Sequence, residues 1–311
     1  MVRVLCGPRR DLPTVPMLTA LIVLTRILVN PLSNVFQKHL SRKSAHPTVI
    51  LAMTHALLVL PILPLLLGPV QLRASVPLWT NLTLCALLAV VSNLLLIRAL
   101  QSSDLSVLGP LNAYKSVISV ILGIFLIGEI PSLPGVTGIL LIVAGSIGII
   151  DRIPGQRRRH ALIQFVRDPG IQLRFVALVL SATEAVFLKR SLNLAPALEV
   201  FTGWGLLCCP MSALAVAIQF RGRLGAAWLN QRPQAPAFVG LAISTGLMQV
   251  MSLLTFERMS VGYSLALFQL SALVSVLFGH HFFSEGHLKR RLIGASVMVV
   301  GATLIIAFGN R

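Results

Sequence analysis

The sequence predicts an all-α integral membrane protein, with ten transmembrane helices arranged as two inverted five-helix repeats. Three observations predict this. Of 311 residues, 56% are hydrophobic and only 11% charged, where a soluble domain carries about 25% charged residues. The apolar residues gather into runs of the roughly 20 residues that a helix needs to cross a bilayer. The chain also resembles itself at a shift of 156 residues.

Ten runs fit, at about 17–37, 47–69, 78–100, 105–127, 134–150, 173–193, 197–219, 236–256, 261–283 and 288–308. Lys, Arg, Pro, Gly and Ser punctuate them. The first follows a basic N-terminal tail, 1–16, and continues without a small-residue cleavage site, so it reads as an uncleaved span. Connections are short except at 151–172, "DRIPGQRRRHALIQFVRDPGIQ", a basic linker between a first half, 17–150, and a second, 173–308. The spans are apolar all round, so periodicity says little. Helix is the default because in lipid every backbone N–H and C=O must bond within the segment.

The net charge of +17 sits in the short gaps between apolar runs. There it reads as topology signals and contacts with anionic lipid headgroups, not as a nucleic-acid surface. Cys6, Cys85, Cys208 and Cys209 have no metal-ligand spacing, and three of them lie in apolar runs as small buried hydrophobes. No Walker loop, nucleophile elbow or HExxH occurs. No enzyme, cofactor or metal is expected.

At the 156-residue shift, 111–150 falls on 267–306 without a gap. Ten of forty positions match: Leu111, Ser119, Val120, Gly123, Glu129, Gly138, Val143, Gly145, Ile149 and Ile150. One Glu and three Gly in register are more than shared apolarity supplies. "VFQKHL" (35–40) also echoes "VFLKRSL" (186–192), and Pro47 and Pro196 open the next helix in each half. Five is an odd number of spans, so consecutive copies cross the membrane in opposite senses. Many secondary transporters use such inverted repeats for alternating access.

On these features the chain resembles the drug/metabolite transporter superfamily in its EamA-type bacterial form. The fourth span of each half ends in Gly128-Glu129 or Ser284-Glu285, and nine residues after each Glu a Gly begins the fifth span: Gly138 and Gly294. The resemblance covers nearly the whole chain. It implies a substrate cavity between the halves, lined mainly by spans one to four of each, with the fifth and tenth spans as scaffold. It also implies a multi-pass protein of the bacterial inner membrane. Its substrates range over amino acids, drugs, sugars and phosphorylated sugars, so it names none.

Ionisable groups at bilayer depth are costly and usually face a cavity or a partner. Lys115, Arg26 and Glu184 stand well inside spans. The repeat mate of Lys115 is Ser271, so the fold itself does not demand a cation there. Arg26, Asn30, Ser33, Asn34 and Gln37 recur at helical spacing and share one face. That face either lines a cavity or glues helices together. Pro31 interrupts the same helix. Glu184 pairs with a cation or takes up a coupling proton. Asn112, Tyr114, Gln249 and Gln269 are further polar candidates, and Trp204 is an aromatic platform for a substrate. Glu129 and Glu285 are expected to be structural, each accepting bonds from the exposed N–H groups of the helix that follows it. Gly138 and Gly294 are expected at close helix contacts. His280, His281 and His287 sit near Glu285, but Arg and Lys crowd them, and Ile124 and Phe125 replace the first two in the other repeat.

Two cations against one deep carboxylate point to a small anionic solute, moved by a secondary transporter with a proton or counter-solute. A lipid flippase or a membrane accessory protein is the alternative. The family expectation puts both termini in the cytoplasm, whereas the distribution of Lys and Arg over the loops favours the opposite orientation.

Overall fold

The computed structural model describes residues 15–43, 45–68, 72–118, 132–149, 158–220, 234–258 and 261–308. Among these residues the chain is helical throughout, with no strand. The helices are α1 (Val15–Arg42), α2 (Pro47–Leu66), α3 (Val76–Ser102) and α4 (Leu105–Leu108), which continues through a 3₁₀ turn at Pro110–Ala113. After them come α5 (Leu133–Ile149), α6 (Arg158–Arg167), α7 (Pro169–Leu192), α8 (Ala197–Phe220), α9 (Ala235–Arg258), α10 (Val261–Phe268), α11 (Ser271–Phe283) and α12 (Leu288–Phe308). Six of them, α1, α2, α3, α7, α8 and α9, are long and apolar enough to cross a membrane.

Large apolar side chains cover the outer faces. Leu21, Leu24, Leu140, Leu214, Ile218, Ile243 and Ile293 are all more than half exposed. Contiguous apolar surface on this scale suits lipid rather than water. The interior holds the polar groups instead, with Ser33, Asn34, Gln37, Lys38, Arg174 and Gln249 all buried. The protein is therefore an integral, multi-pass membrane protein.

Two boundaries differ from the sequence reading. The stretch 151–172 contains α6, and α7 begins at Pro169. Asp168 is the reason: its Oδ1 accepts the Ile171 N–H at 3.0 Å, with Pro at the first helical position. The run 261–283 is divided at Gln269–Leu270, where Ala272 and Leu273 donate to carbonyls three residues back. The 3₁₀ turn at Pro110–Ala113 lies at the matching place in the first half. Such tightened turns inside a helical run often mark hinges.

The main helix pairs are α5 with α12, α3 with α7, α1 with α9 and α2 with α8. The α5–α12 pair runs antiparallel on glycine. A Cβ on Gly145 would lie 2.6 Å from the Gly294 carbonyl oxygen, and one on Gly138 2.5 Å from that of Gly301. The reverse contacts are the same, at 2.7 Å from Gly294 to the Gly145 oxygen and 2.6 Å from Gly301 to the Gly138 oxygen. Only a residue without Cβ permits this backbone approach. The repeat shift carries Gly138 to Gly294 and Gly145 to Gly301, so each glycine meets the mate of the other.

Candidate functional site

A cavity of about 150 Å3 lies where α1, α3 and the 105–118 segment meet α7, α8, α9 and α10. Both halves of the chain supply its walls. Lys115, Arg26, Asn30, Asn34, Asn112, Trp204, Gln249 and Glu184 line it. The polar stripe of α1 faces inward because α9 packs antiparallel along it: Arg26 meets Ser252, while Gly240 lies against the Phe36 ring.

Each charged group has a distinct setting. Arg26 donates from Nε to Ser252 Oγ at 2.5 Å, and Ser252 Oγ in turn donates to the Met248 carbonyl at 2.7 Å. Its guanidinium carbon sits 4.6 Å from the Phe268 ring centroid, a cation–π contact. Arg174 donates from Nε to the Leu108 carbonyl at 3.2 Å and from Nη2 to Asn112 Oδ1 at 2.7 Å. It thereby ties α7 to the 105–118 segment of the other half. Lys115 lies in the electrostatic reach of Glu184, Arg174 and Arg26. Glu184 lines the same cavity as Lys115 and Trp204 and lies in the electrostatic reach of Lys115. Trp204 is buried, with its ring edge-on to His55 at 5.8 Å and stacked on Phe201 at 6.3 Å. Asn30 donates to Ser271 Oγ, the repeat mate of Lys115, at 3.4 Å.

Arg174 is the charged lining residue that sequence reasoning missed, and Thr245 is an uncharged one. Arg174 stands at the edge of the basic linker, yet it is 5% exposed. The capping signal "DPG" places it inside α7, and that signal was legible. Tyr114 and Gln269 do not line the cavity. Tyr114 follows Asn112 and precedes Lys115, so the helical turn of about 100° per residue points it elsewhere. Its hydroxyl donates to Ser146 Oγ at 3.1 Å, and its ring meets Phe175 edge-on at 5.0 Å. Gln269 is buried at the α10–α11 join.

A second charged cluster lies outside the cavity lining. Glu285 Oε1 accepts from Lys38 Nζ at 2.7 Å and the Leu105 N–H at 2.9 Å, and Oε2 accepts the Ser106 N–H at 2.8 Å. Ser106 Oγ also donates to Oε2, and Arg291 lies 3.5 Å from it. Arg291 donates further to Ser106 Oγ and, at 2.8 Å, to Asp104. Glu285 therefore caps α4, in the opposite half, rather than α12, which follows it. The cause is Ser284, whose left-handed backbone (φ 54°, ψ 35°) ends α11 and turns the chain back toward α4. Burial alone would raise the Glu285 carboxyl; the Lys38 ammonium and the bonds from Lys38 and Ser106 outweigh it and hold the carboxyl below its usual range. His280 Nδ1 pairs with the Glu285 carbonyl at 2.9 Å, and His281 packs edge-on to Phe282. Glu129, the repeat mate of Glu285, lies outside the described residues.

Comparison with known proteins agrees with this architecture. One solved structure, described only as "Crystal structure of protein", matches with a TM-score of 0.62 at 21% identity, over 93% of this chain and 96% of its own. That likeness concerns the fold. No curated protein matches. Residues 17–151 match the EamA-like transporter family. Over those residues the chain is similar to the EamA-like transporters of the drug/metabolite transporter superfamily.

Proposed function

We propose that this protein is a secondary transporter of the bacterial inner membrane, moving a small anionic metabolite by alternating access between two inverted five-helix halves. One observation carries the reading. The cavity between the halves is lined by Arg26, Lys115 and Arg174 against Glu184, the single carboxylate among its described lining residues. Such a surplus of positive charge, held away from water, favours an anion and disfavours a cation.

The exchanged contacts support the inverted repeat. Two antiparallel helices that swap glycine for glycine under one shift are related by a two-fold axis perpendicular to both, which for membrane spans lies in the membrane plane. The pairs α1–α9 and α3–α7 exchange in the same way, the first helix of each half lying on the third of the other. Ten spans follow when the 105–118 segment, α5, α10 with α11, and α12 are counted beside the six long helices. Lys115 and Glu184 come from opposite halves and form the pair that substrate binding disturbs. Glu184 then takes up the coupling proton when Lys115 turns to the substrate. Glu184→Gln accordingly retains exchange of solute for solute and loses accumulation driven by a pH gradient.

The test is uptake by the purified protein in liposomes, comparing small organic anions with neutral analogues of equal size. Saturable uptake of the anions is the expected result. Preference for the neutral analogues overturns the reading.

A further inference from the structure

Resting on the proposed anion transport, we infer that the Arg26 edge of the cavity is the anion receptor, and that Gln249 and Thr245 read hydroxyl groups on the same solute. The substrate class is then a short hydroxylated anion, a hydroxycarboxylate or a hydroxylated phosphate ester.

The three lining cations are not equivalent. Arg174 spends Nε and Nη2 on the Leu108 carbonyl and Asn112. Lys115 lies in the electrostatic reach of the Glu184 carboxylate. Arg26 is clamped at Nε by Ser252 and laid on the Phe268 ring, while Nη1 is buried without a hydrogen-bond partner. An orphaned guanidinium N–H in a fixed plane is a preorganised donor for carboxylate or phosphate oxygens.

Other orphans extend from it in one direction. Gln249 Nε2 and Thr245 Oγ1 have no partner, and both side chains are nine-tenths or more buried and line the cavity. They stand three and seven residues before Ser252 on α9, so the three share one helix face over about 10 Å. Buried polar atoms are nearly always bonded in native proteins. Two adjacent to an orphaned cation are accounted for by a solute that carries both charge and hydrogen-bonding groups. A purely apolar acid would leave Gln249 and Thr245 unpaired and would forfeit their desolvation cost. The volume sets the scale: about 150 Å3 is the size of cavity that takes one benzene. Three- or four-carbon solutes match it.

The experiment measures binding to the purified full-length protein by calorimetry, with four probes. Glycerate has charge and hydroxyls, glycerol phosphate has the other anionic head, propionate has charge alone, and glycerol has hydroxyls alone. Glycerate or glycerol phosphate is expected to bind at least tenfold more tightly than propionate, and glycerol not to bind. Whichever binds better identifies the anionic group. Gln249→Leu removes an unpartnered polar group, so it leaves the fold intact. It is expected to weaken glycerate about tenfold, the worth of one hydrogen bond, and to leave propionate unchanged. Arg26→Lys keeps the charge, loses the fixed fork and weakens every anion. Propionate binding as tightly as the better of glycerate and glycerol phosphate, equal losses for propionate and that better ligand in Gln249→Leu, or undiminished binding in Arg26→Lys overturns the inference. Failure of all four probes to bind overturns it too. Liposome uptake separates the two levels: uptake of propionate as fast as glycerate contradicts the hydroxyl reading alone, and uptake of no anion contradicts anion transport itself.

Discussion

At the scale of the residue, the deep charges divide by whether the local sequence betrays them. Lys115 and Glu184 stand out because each lies well inside a predicted span. Arg26 stands out through its stripe with Asn30, Asn34 and Gln37. Arg174, Lys38 and Arg291 are buried more deeply still, and the sequence does not single out their burial. Each lies within one or two turns of a helix end, where sequence alone does not separate a loop cation from one folded inward. Arg174 is the informative case. Arg174→Met leaves Asn112 and the Leu108 carbonyl without their donor, at a cost of about 1–3 kcal/mol. Thermal denaturation of the purified variant checks this, and a melting temperature equal to wild type would show that the bond between α7 and the 105–118 segment contributes nothing.

Elements carry the next level, and here glycine and caps decide. Gly138 and Gly294 were legible as contact glycines from their recurrence, but their exchanged pairing required the two helices to be seen together. Gly145→Leu forces its Cβ against the Gly294 carbonyl oxygen and is expected to cost about 1–3 kcal/mol or more by overpacking, read as a lowered melting temperature. The role of Glu285 was legible as a cap but not its target, because the left-handed Ser284 reverses the chain and sequence order favours the following helix. The folded Glu285 carboxyl titrates below its unfolded value of about 4.5. Its contribution is thus fully present above that pH and is lost as pH falls through the folded value. The melting temperature of wild type should drop more steeply below pH 4.5 than that of Glu285→Gln. Parallel profiles would remove the clasp between α1, α4 and α12 from the account. Removing one partner of this buried pair costs about 3–5 kcal/mol at neutral pH, so Glu285→Gln should also start from a lower melting temperature.

For the whole molecule, apolar outer faces, a polar interior and helix pairs exchanged between halves belong to one design. The all-helical, membrane-spanning character was legible from hydropathy, and helices of membrane-spanning length stand where six of the ten apolar runs were read. The full lining of the cavity was not legible, because it forms only where α1 and the 105–118 segment meet α7 and α9, far apart in the chain. Its charge surplus is the central claim. Lys115 has no cationic repeat mate, so the fold tolerates another residue there, whereas an anion-binding cavity does not. The direct measurement is uptake of a small organic anion into liposomes by Lys115→Gln beside wild type, with melting temperature recorded for both. Gln keeps a hydrogen-bonding group beside Glu184, which spares the fold. The account predicts uptake at the protein-free background by a variant that melts within a few degrees of wild type. Wild-type uptake by Lys115→Gln would contradict it.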